Sequence, residues 1–485
     1  MGLQKIYNLS WRHTMKKIRM FSLLIAFVLI VGTLCACQND QNANQDNQSA
    51  SSSSTQEASN APAKVSTIRI WTSSASDKKE WTSQIDLFNS GIGAEKGVKI
   101  DYQIFGDNYQ TSVDTAVSAG LQPEIWMATT KQSQYVAQDI ICSLDELPNM
   151  TDLLDANKAS QIKNLTVFND KVYSLPLYFT SYSLIYNVDI LKNAGFTEPP
   201  KTWAEYVDIA KAVTKDNVYG TAIPCKFTSY QDRYIIDGAL PGIGHLQYSY
   251  SEGKFMFSDF LPYFEDVILP LVEDGSLFPG SATLDNDTLR AQFANGNIAM
   301  YIGGSYDVGV LYNQFPAKDN WAVAPIPYMD EEHHYNQLKE PAQMYFTSKN
   351  VLKDEAMAAA ASEVWHFMFS SSLNELMFTN GQRFPMNDET FKNAAAPTQA
   401  QWNTFYELSK TQVMRNPMPD SVITVEGNNY GTVFSQIIAG QVDPATALAD
   451  LDTRYQAAFD KACADGTITK EDWIDPNYES NFVIK

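Results

Sequence analysis

Apolar and polar residues alternate along several short stretches of the chain, and apolar residues recur at helical spacing between these stretches. The alternation at 67–71 and 98–104 predicts two strands, and the short apolar run 124–128 predicts a third. A helix that opens at Asp77 and another across 109–119 separate the three strands. Because strands that alternate with helices usually pair in parallel, this order predicts an α/β fold built on a parallel sheet.

Capping residues mark where several helices begin and end. Asp77 with Glu80, and Thr202 with Glu205, have the spacing of a capping box, in which the two side chains accept hydrogen bonds from backbone amides of the first turn. Asn295-Gly296 predicts a helix end, because glycine adopts the left-handed backbone that closes a helix. Later elements are a strand at 298–302, an Ala-rich helix at 354–369 and a helix that starts at Asp443-Pro444.

The N-terminal segment follows a different pattern. A basic stretch at 15–19 precedes an apolar run that is too short for a membrane span and has the length of a signal-peptide core. This run ends in Leu34-Cys35-Ala36-Cys37, which is similar to a bacterial lipobox. We therefore expect residues 1–36 to form a signal peptide and Cys37 to be lipidated. Residues 37–64 are polar and predict a flexible tether, which would hold the folded part at the outer face of the cytoplasmic membrane.

Length and charge narrow the classes of protein further. A chain of 485 residues exceeds one hydrophobic core and predicts two domains. Its formal net charge of −21 argues against nucleic acid as a partner, since nucleic-acid binders usually carry a basic face. Cys142, Cys225 and Cys463 have no disulfide or metal spacing, and the adjacent His333 and His334 are typical of a surface loop. We predict neither a metal nor a cofactor.

Six segments behind the lipobox keep an order that is informative when they are taken together. They are Tyr173-Ser174-Leu175-Pro176, Leu184-Ile185-Tyr186-Asn187, residues 195–203, residues 293–300, residues 344–349, and the helix through Trp365 that leads to 381–385. In this order they resemble the family-1 extracellular solute-binding proteins, the maltose-binding-protein-like receptors of sugar ABC importers. The resemblance extends over nearly the whole chain after the tether.

The resemblance implies a periplasmic-binding-protein-like fold, in which two α/β lobes are joined by a hinge that the chain crosses several times. Residues 65–178 and 342–385 would form the first lobe, and residues 179–341 and 386–485 the second. The ligand would be a carbohydrate of oligosaccharide size, held in the cleft between the lobes. The implied partners are the permease subunits of an ABC transporter, with the lipid anchor as the membrane contact. A monomer without enzymatic activity is expected.

The strand ends indicate where the ligand would lie, because ligands of open α/β sheets bind beyond the carboxyl ends of the strands. Aromatic rings suit the C–H face of a sugar ring, and polar side chains suit its hydroxyl groups. The rule selects Trp71, Ser73 and Ser74 after the first strand, Thr130 and Lys131 after the third, and Tyr306 after the strand at 298–302.

The resemblance adds further candidates for ligand contact. It places Tyr178, Thr180 and Tyr182 at the first hinge crossing, and it places Tyr306 where relatives commonly carry a stacking tryptophan. Trp126 also belongs to the candidate site, although its alternation with Ile125 and Met127 equally fits a core position. Arg383 would either donate hydrogen bonds into the cleft or form a surface salt bridge.

Two other classes of function stay open on the sequence. A receptor of the same fold could bind a polyamine, a peptide or a metal chelate. A surface glycoside hydrolase would need two carboxylates across a sugar-sized gap, and the acidic residues are too numerous to exclude such a pair. The segment Gly303-Gly304-Ser305-Tyr306-Asp307 lacks the second glycine of a nucleophile elbow.

Overall fold

The alternating segments of the sequence form strands, and eleven of them build one mixed sheet in the part of the chain that the structure describes. This computed structural model describes residues 65–106, 108–128, 131–330, 332–478 and 482. The predicted signal peptide, the lipidated Cys37, the tether and Thr130 lie outside these residues. The strands are β1 Ser66–Thr72, β2 Val98–Ile104, β3 Ile125–Met127, β4 Ile141–Cys142, β5 Val167–Phe168, β6 Lys171–Val172, β7 Pro176–Asn187, β8 Tyr219–Thr221, β9 Tyr248–Ser249, β10 Lys254–Phe255, β11 Ile298–Gly304, β12 Trp321–Ala324, β13 Leu338–Ser348, β14 Phe384–Pro385 and β15 Val413–Met414.

Helices fill the connections between these strands. They are α1 Lys78–Ser90, α2 Ile92–Lys96, α3 Tyr109–Ser118, α4 Gln132–Ala137, α5 Thr151–Ala156, α6 Val188–Asn193, α7 Trp203–Val213, α8 Thr228–Ile243, α9 Leu261–Tyr263, α10 Leu269–Glu273, α11 Asn286–Ala294, α12 Asp307–Gly309, α13 Glu355–Met368, α14 Ser371–Thr379, α15 Ala400–Ser409, α16 Tyr430–Ile438 and α17 Pro444–Ala464. The capping box of Thr202 and Glu205 forms as predicted. Gly296 follows the end of α11 with a φ of 72°, as its position indicates.

The sheet has the order β2-β1-β3-β13-β7-β11-β8. The predicted parallel pairing holds for β1 with β2 and β3. The sheet as a whole is mixed, because β13 and β7 run antiparallel to their main neighbours. The α/β class is thus confirmed, with a mixed sheet in place of the purely parallel one that the first three strands predicted.

Two large cores lie on this framework. The first core packs β1, β2, α1 and α13, with Ile68, Trp81 and Trp365 fully buried. The second core packs β7, β11, α7, α8, α16 and α17. Phe378 and Phe384, which the sequence assigned to the first lobe, pack in the second core.

Two long strands connect the cores. Strand β13 pairs with β7 through Met344 and then with β3 and β4 from Tyr345 onward. Strand β7 contributes Tyr178 to the first core and Phe179 to the second. A change of sheet partner within one strand needs a local break, and Gln343 supplies it with a φ of 50°, a left-handed value that is uncommon for a residue other than glycine.

Candidate ligand-binding cleft

A cavity of about 570 Å³ lies beyond the carboxyl ends of β1, β3 and β15. Ser73 follows β1, Ala128 follows β3, and Arg415 follows β15, so the strand-end rule places all three in its wall. Residues of α3 and α4 line the cavity on the side of β1 and β3, and residues of α8 and α16 line it on the other side. The wall mixes hydroxyl, amide and carboxylate side chains with the flexible side chains of Met127, Met344 and Met418.

The aromatic rings in this wall belong to Tyr109 and Tyr430. Tyr109 donates a hydrogen bond from its hydroxyl to the Met127 carbonyl at 2.6 Å, which fixes the ring at the end of β3. Tyr430, the first residue of α16, donates to Asp232 Oδ2 at 2.9 Å. Sequence reasoning missed both residues, because each opens an ordinary amphipathic helix and neither follows a predicted strand directly.

A buried carboxylate organises the loop after β1. Asp77 has no exposed surface, and it accepts hydrogen bonds from Ser74 Oγ at 2.7 Å, Gln343 Nε2 at 2.6 Å and Arg383 Nε at 2.9 Å. Burial raises the pKa of the Asp77 carboxyl, but the Arg383 charge and these hydrogen bonds outweigh burial, so the pKa lies below its usual value.

The predicted capping box of Asp77 and Glu80 is therefore wrong. The Asp77 side chain accepts no hydrogen bond from the first turn of α1, because its carboxylate binds Arg383 and Gln343. Glu80 accepts a hydrogen bond from Asn380. Of the two roles open to Arg383, the structure shows an ion pair, and that pair is mostly buried. Ser74 belongs to the same cluster, whereas Ser73 lines the cavity.

Tyr182 and Tyr306 form an edge-to-face pair, with their ring centroids 6.3 Å apart. The Arg233 guanidinium lies 4.4 Å from the centroid of the Tyr182 ring, and the Arg290 guanidinium lies 5.2 Å from that of Tyr306. Burial raises the pKa of Tyr182 to about 12, so its hydroxyl stays protonated at neutral pH. Both rings thus contact arginine side chains, and neither ring belongs to the cavity wall.

Four charged side chains form a compact group between β13, β15 and α8. Arg233 and Arg415 each pair with Glu340 and with Asp237. Asp237 is 2% exposed as a residue, and the other three are mostly buried. Burial among these neighbours lowers the pKa of Arg415 to about 10, which leaves the guanidinium charged at neutral pH. We call these four residues the charge quartet. Its two positive and two negative charges balance.

Two more carboxylates, Asp232 and Asp420, lie in the cavity wall. Burial raises the pKa of Asp232 to about 7, although Arg415 and Arg233 oppose this shift. Burial raises the pKa of Asp420 to about 6, again against Arg415. Sequence reasoning did not select these residues. Nothing in the local sequence places Asp232 or Asp420 beside a cavity.

The other predicted site residues lie at varied distances from this wall. Trp126 and Tyr178 have no exposed surface and pack within the cores, so they present no face to a ligand in this structure. Trp71 is half-buried against Phe105, with ring centroids 4.5 Å apart. Lys131 pairs with Asp114 at 2.8 Å, one residue before the cavity-lining Gln132. Thr180 lies half-buried in β7, opposite Glu340 of β13.

A second concave surface, of about 630 Å³, lies outside the first core between α1 and α13. Leu87, Phe88, Ile92 and Phe367 make it largely apolar, and its facing charges, Lys96 and Glu363, already pair with each other at 2.6 Å. It lies away from the strand ends and offers few free hydrogen-bonding groups. The cleft at the strand ends is therefore the better candidate for a polar ligand.

Two α/β cores, long strands that pass between them and a polar cavity at the strand ends define a ligand-binding protein of the periplasmic-receptor type. The family model for bacterial extracellular solute-binding proteins matches residues 79–371, which is more than half of the chain. The protein belongs to this family. None of the described helices is long and apolar enough to cross a lipid bilayer.

Individual relatives agree with this assignment. A maltodextrin-binding protein of Bacillus subtilis is 24% identical over 380 residues, covering 73% of this chain and 79% of the relative. A diacetylchitobiose-binding protein of Streptomyces coelicolor is 24% identical over 148 residues, covering 30% of this chain and 34% of the relative.

Solved structures show the same fold. The acarbose receptor of Streptomyces glaucescens superimposes with a TM-score of 0.66 at 16% identity, over 82% of this chain and 99% of that one. An ABC transporter solute-binding protein of Thermotoga lettingae, bound to α-D-tagatose, superimposes with a TM-score of 0.63 at 19% identity, over 81% and 100% of the two chains.

Proposed function

We propose that this protein is the extracellular receptor of an ABC importer and that it binds an oligosaccharide in the cleft beyond β1, β3 and β15. The observation that carries the proposal is the polar wall of that cavity, contributed by elements of both cores. Its hydroxyl, amide and carboxylate groups match the donors and acceptors of sugar hydroxyls, and Tyr109 and Tyr430 add ring surface. Its volume, about 570 Å³, lies within the range of small-molecule sites.

The names of the relatives support a carbohydrate ligand. The Bacillus subtilis relative is named for maltodextrin and the Streptomyces coelicolor relative for diacetylchitobiose. In this structure Trp71, Trp126, Tyr178 and Tyr306 do not line the cavity, whereas the charged side chains of Asp232, Arg415 and Asp420 do. The ligand proposed here is therefore an oligosaccharide with polar substituents.

The two cores would act as lobes that close on the ligand. The first lobe comprises about 65–178 and 342–377, and the second comprises the remainder from 179 onward, with the last crossing near Phe378 because that residue packs in the second core. A ligand that touches both walls gains contacts only in the closed form, so it shifts the population toward closure by its differential affinity. The closed form would then be presented to the permease.

A chain beginning near residue 38, without the apolar segment, would test the function directly. Thermal unfolding with a panel of neutral and substituted oligosaccharides should show a rise in Tm for at least one class, because a ligand that binds only the native state stabilises it. Small-angle scattering should show a smaller radius of gyration with that ligand. A flat response to every sugar, together with a rise for a peptide or a chelate, would exclude the carbohydrate assignment.

A glycoside hydrolase is the second candidate, since Asp232 and Asp420 place two carboxylates in one cavity. A hydrolase needs one ionised and one protonated carboxyl, and the family is one of binding proteins. Incubation of the ligand found above with the protein, followed by mass spectrometry of the sugar, separates the two candidates. An intact ligand after many hours supports the receptor.

Export and lipidation of Cys37 complete the proposed function. In a bacterial host, metabolic labelling with an alkyne fatty acid should label the full chain and fail to label the Cys37→Ala variant. Equal labelling of both chains would show that another residue, or none specifically, carries the lipid.

A further inference from the structure

The charge quartet uses both arginines near the cavity. Arg233 and Arg415 are each bound to Glu340 and Asp237, and the positive and negative charges of the quartet cancel. Arg415 also lines the cavity, and its Nε atom has no hydrogen-bond partner among the described residues. Because the quartet as a whole is neutral, each further carboxylate in the cavity wall adds net negative charge.

Asp232 and Asp420, in contrast to the quartet carboxylates, are not paired with a positive charge among the described residues. Neither forms an ion pair within the described part of the chain. Asp232 accepts one hydrogen bond, from Tyr430, and its Oδ1 atom is buried without a partner. Asp420 accepts a side-chain hydrogen bond from Gln247 Nε2 at 3.4 Å, which is long. Two carboxylates thus line one cavity without an ion pair of their own, although the Arg415 charge favours the ionised form of both.

Gln247 adds an uncharged acceptor to the same wall. It is 2% exposed, it lines the cavity, and its Oε1 atom has no hydrogen-bond partner among the described residues. The bond from Nε2 to Asp420 orients the amide so that Oε1 is the free end. A buried polar atom without a partner is unfavourable, so a ligand that donates a hydrogen bond here recovers free energy on binding.

We propose that Asp232, Asp420 and Gln247 form a subsite for a protonated amino group, so that the preferred cargo is an oligosaccharide that contains an amino sugar. An ammonium group has three donors and no acceptor, and the three side chains offer three acceptors and two negative charges. A sugar hydroxyl supplies one donor and no charge. The ammonium group is the better match in both respects. This inference rests on the proposed function, because it assigns a ligand class to the same cleft.

The groups around Asp232 predict that binding of an ammonium group is coupled to release of a proton from its carboxyl. Arg415 and Arg233 favour its charged form, Tyr430 donates to it, and Asp420 and burial oppose its charge. Near neutral pH the carboxyl is therefore partly protonated, and an arriving ammonium group should expel that proton. Calorimetry in two buffers of different ionisation enthalpy, at about pH 6.5, should detect more proton release per ligand from the wild type than from Asp232→Asn, since proton uptake by the sugar amine is common to both.

Isothermal titration with three sets of oligosaccharides of equal length provides the main test. The sets are glucosamine oligomers, N-acetylglucosamine oligomers and glucose oligomers, each titrated into the folded part of the chain. We expect the glucosamine set to bind about tenfold or more tightly than either other set. Asp232→Asn and Asp420→Asn should each reduce this ratio severalfold, and the double variant should bring it near one. Asp208→Asn, which removes an exposed charge on α7, should leave the ratio unchanged.

The outcomes separate the inference from the function beneath it. Equal or tighter binding of the acetylated or glucose oligomers, with no proton release, overturns the ammonium subsite and leaves the sugar receptor standing. Binding of a polyamine that depends on Asp232, without binding of any oligosaccharide, supports the subsite and overturns the proposed sugar function. A ratio that stays above about tenfold in the folded double variant would show that the preference for the amine arises elsewhere.

Discussion

Removal of the Asp77 carboxylate should destabilise the protein, because this buried charge binds three segments at once. Asp77 accepts hydrogen bonds from Ser74 after β1, from Gln343 at the break in β13 and from Arg383 before β14. Loss of one partner of a buried ion pair costs about 3–5 kcal/mol, since the other charge is left buried without a partner. Arg383 keeps hydrogen bonds to Ser74 and Ser76. We therefore expect Asp77→Ala to cost about 3 kcal/mol, at the low end of that range.

The loss of stability caused by Asp77→Ala should be larger at neutral pH than at acidic pH. The pKa of Asp77 in the folded protein lies below its ordinary value because the Arg383 charge and the hydrogen bonds outweigh burial. Its contribution is therefore complete above the pKa of the unfolded chain, about 4, and is lost as the pH falls through the folded pKa. Urea unfolding followed by tryptophan fluorescence at about pH 7 and at about pH 3 compares the full contribution with a reduced one.

Two variants make this measurement decisive. Asp86→Asn removes an exposed carboxylate from the same helix and should change the free energy of unfolding by less than about 0.5 kcal/mol. Arg383→Met combined with Asp77→Ala should cost less than the sum of the single changes, by about 2 kcal/mol, because the pair is coupled. A cost for Asp77→Ala below about 0.5 kcal/mol, or the same cost at both pH values, would refute the reasoning.

Three further predictions concern single residues. The pKa of Asp232 lies above that of an unfolded carboxyl, so the free energy of unfolding of the wild type should fall as the pH rises from about 4 to about 7. Urea unfolding of Asp232→Asn should show a fall that is smaller by up to about 4 kcal/mol over this pH range. Equal falls in the two proteins would contradict the assignment. Gln343→Gly should be about 1 kcal/mol more stable than Gln343→Ala, the reverse of the usual order in a strand, because the φ of 50° strains alanine. Burial raises the pKa of Cys142 and Cys225 to about 12, so a thiol reagent should label Cys463 first in the folded protein; labelling of all three at one rate would show that the buried sites open freely.

Local patterns in the sequence were sufficient to predict the strands and helices, but they did not predict which residues line the cavity. The strand at 98–104 and the helix of residues 203–213 follow from period and capping, which are properties of neighbouring residues. Asp77 shows the limit of this reasoning. Its spacing from Glu80 fits a capping box, yet Arg383, 306 residues away, takes its carboxylate. A buried ion pair outcompetes a cap, which contributes about 1 kcal/mol.

The residues of the candidate site show the same difference between local patterns and contacts of distant parts of the chain. Ser73 could be found because it directly follows a strand, and the rule of strand ends is a rule of chain geometry. Asp420 could not, because it lies in a short turn with no periodic pattern, and its hydrogen-bond partner Gln247 lies 173 residues away in the chain. Trp126 and Tyr178 had the right chemistry for a sugar, but their strand faces point into the cores.

The buried charges of this protein fall into two groups, and the difference bears on how binding could move the lobes. Asp77 and the charge quartet form their ion pairs within the protein and need no ligand for them, although the Arg415 Nε atom has no hydrogen-bond partner among the described residues. Asp232 and Gln247 each hold an acceptor atom without a partner among the described residues, and Asp420 accepts a long hydrogen bond from Gln247. Only interactions that differ between two states shift the balance between them. If these three residues accept hydrogen bonds only when the ligand contacts both walls, the free energy recovered there favours closure. The Asp77 cluster, in contrast, holds together the strand crossings about which the lobes would turn.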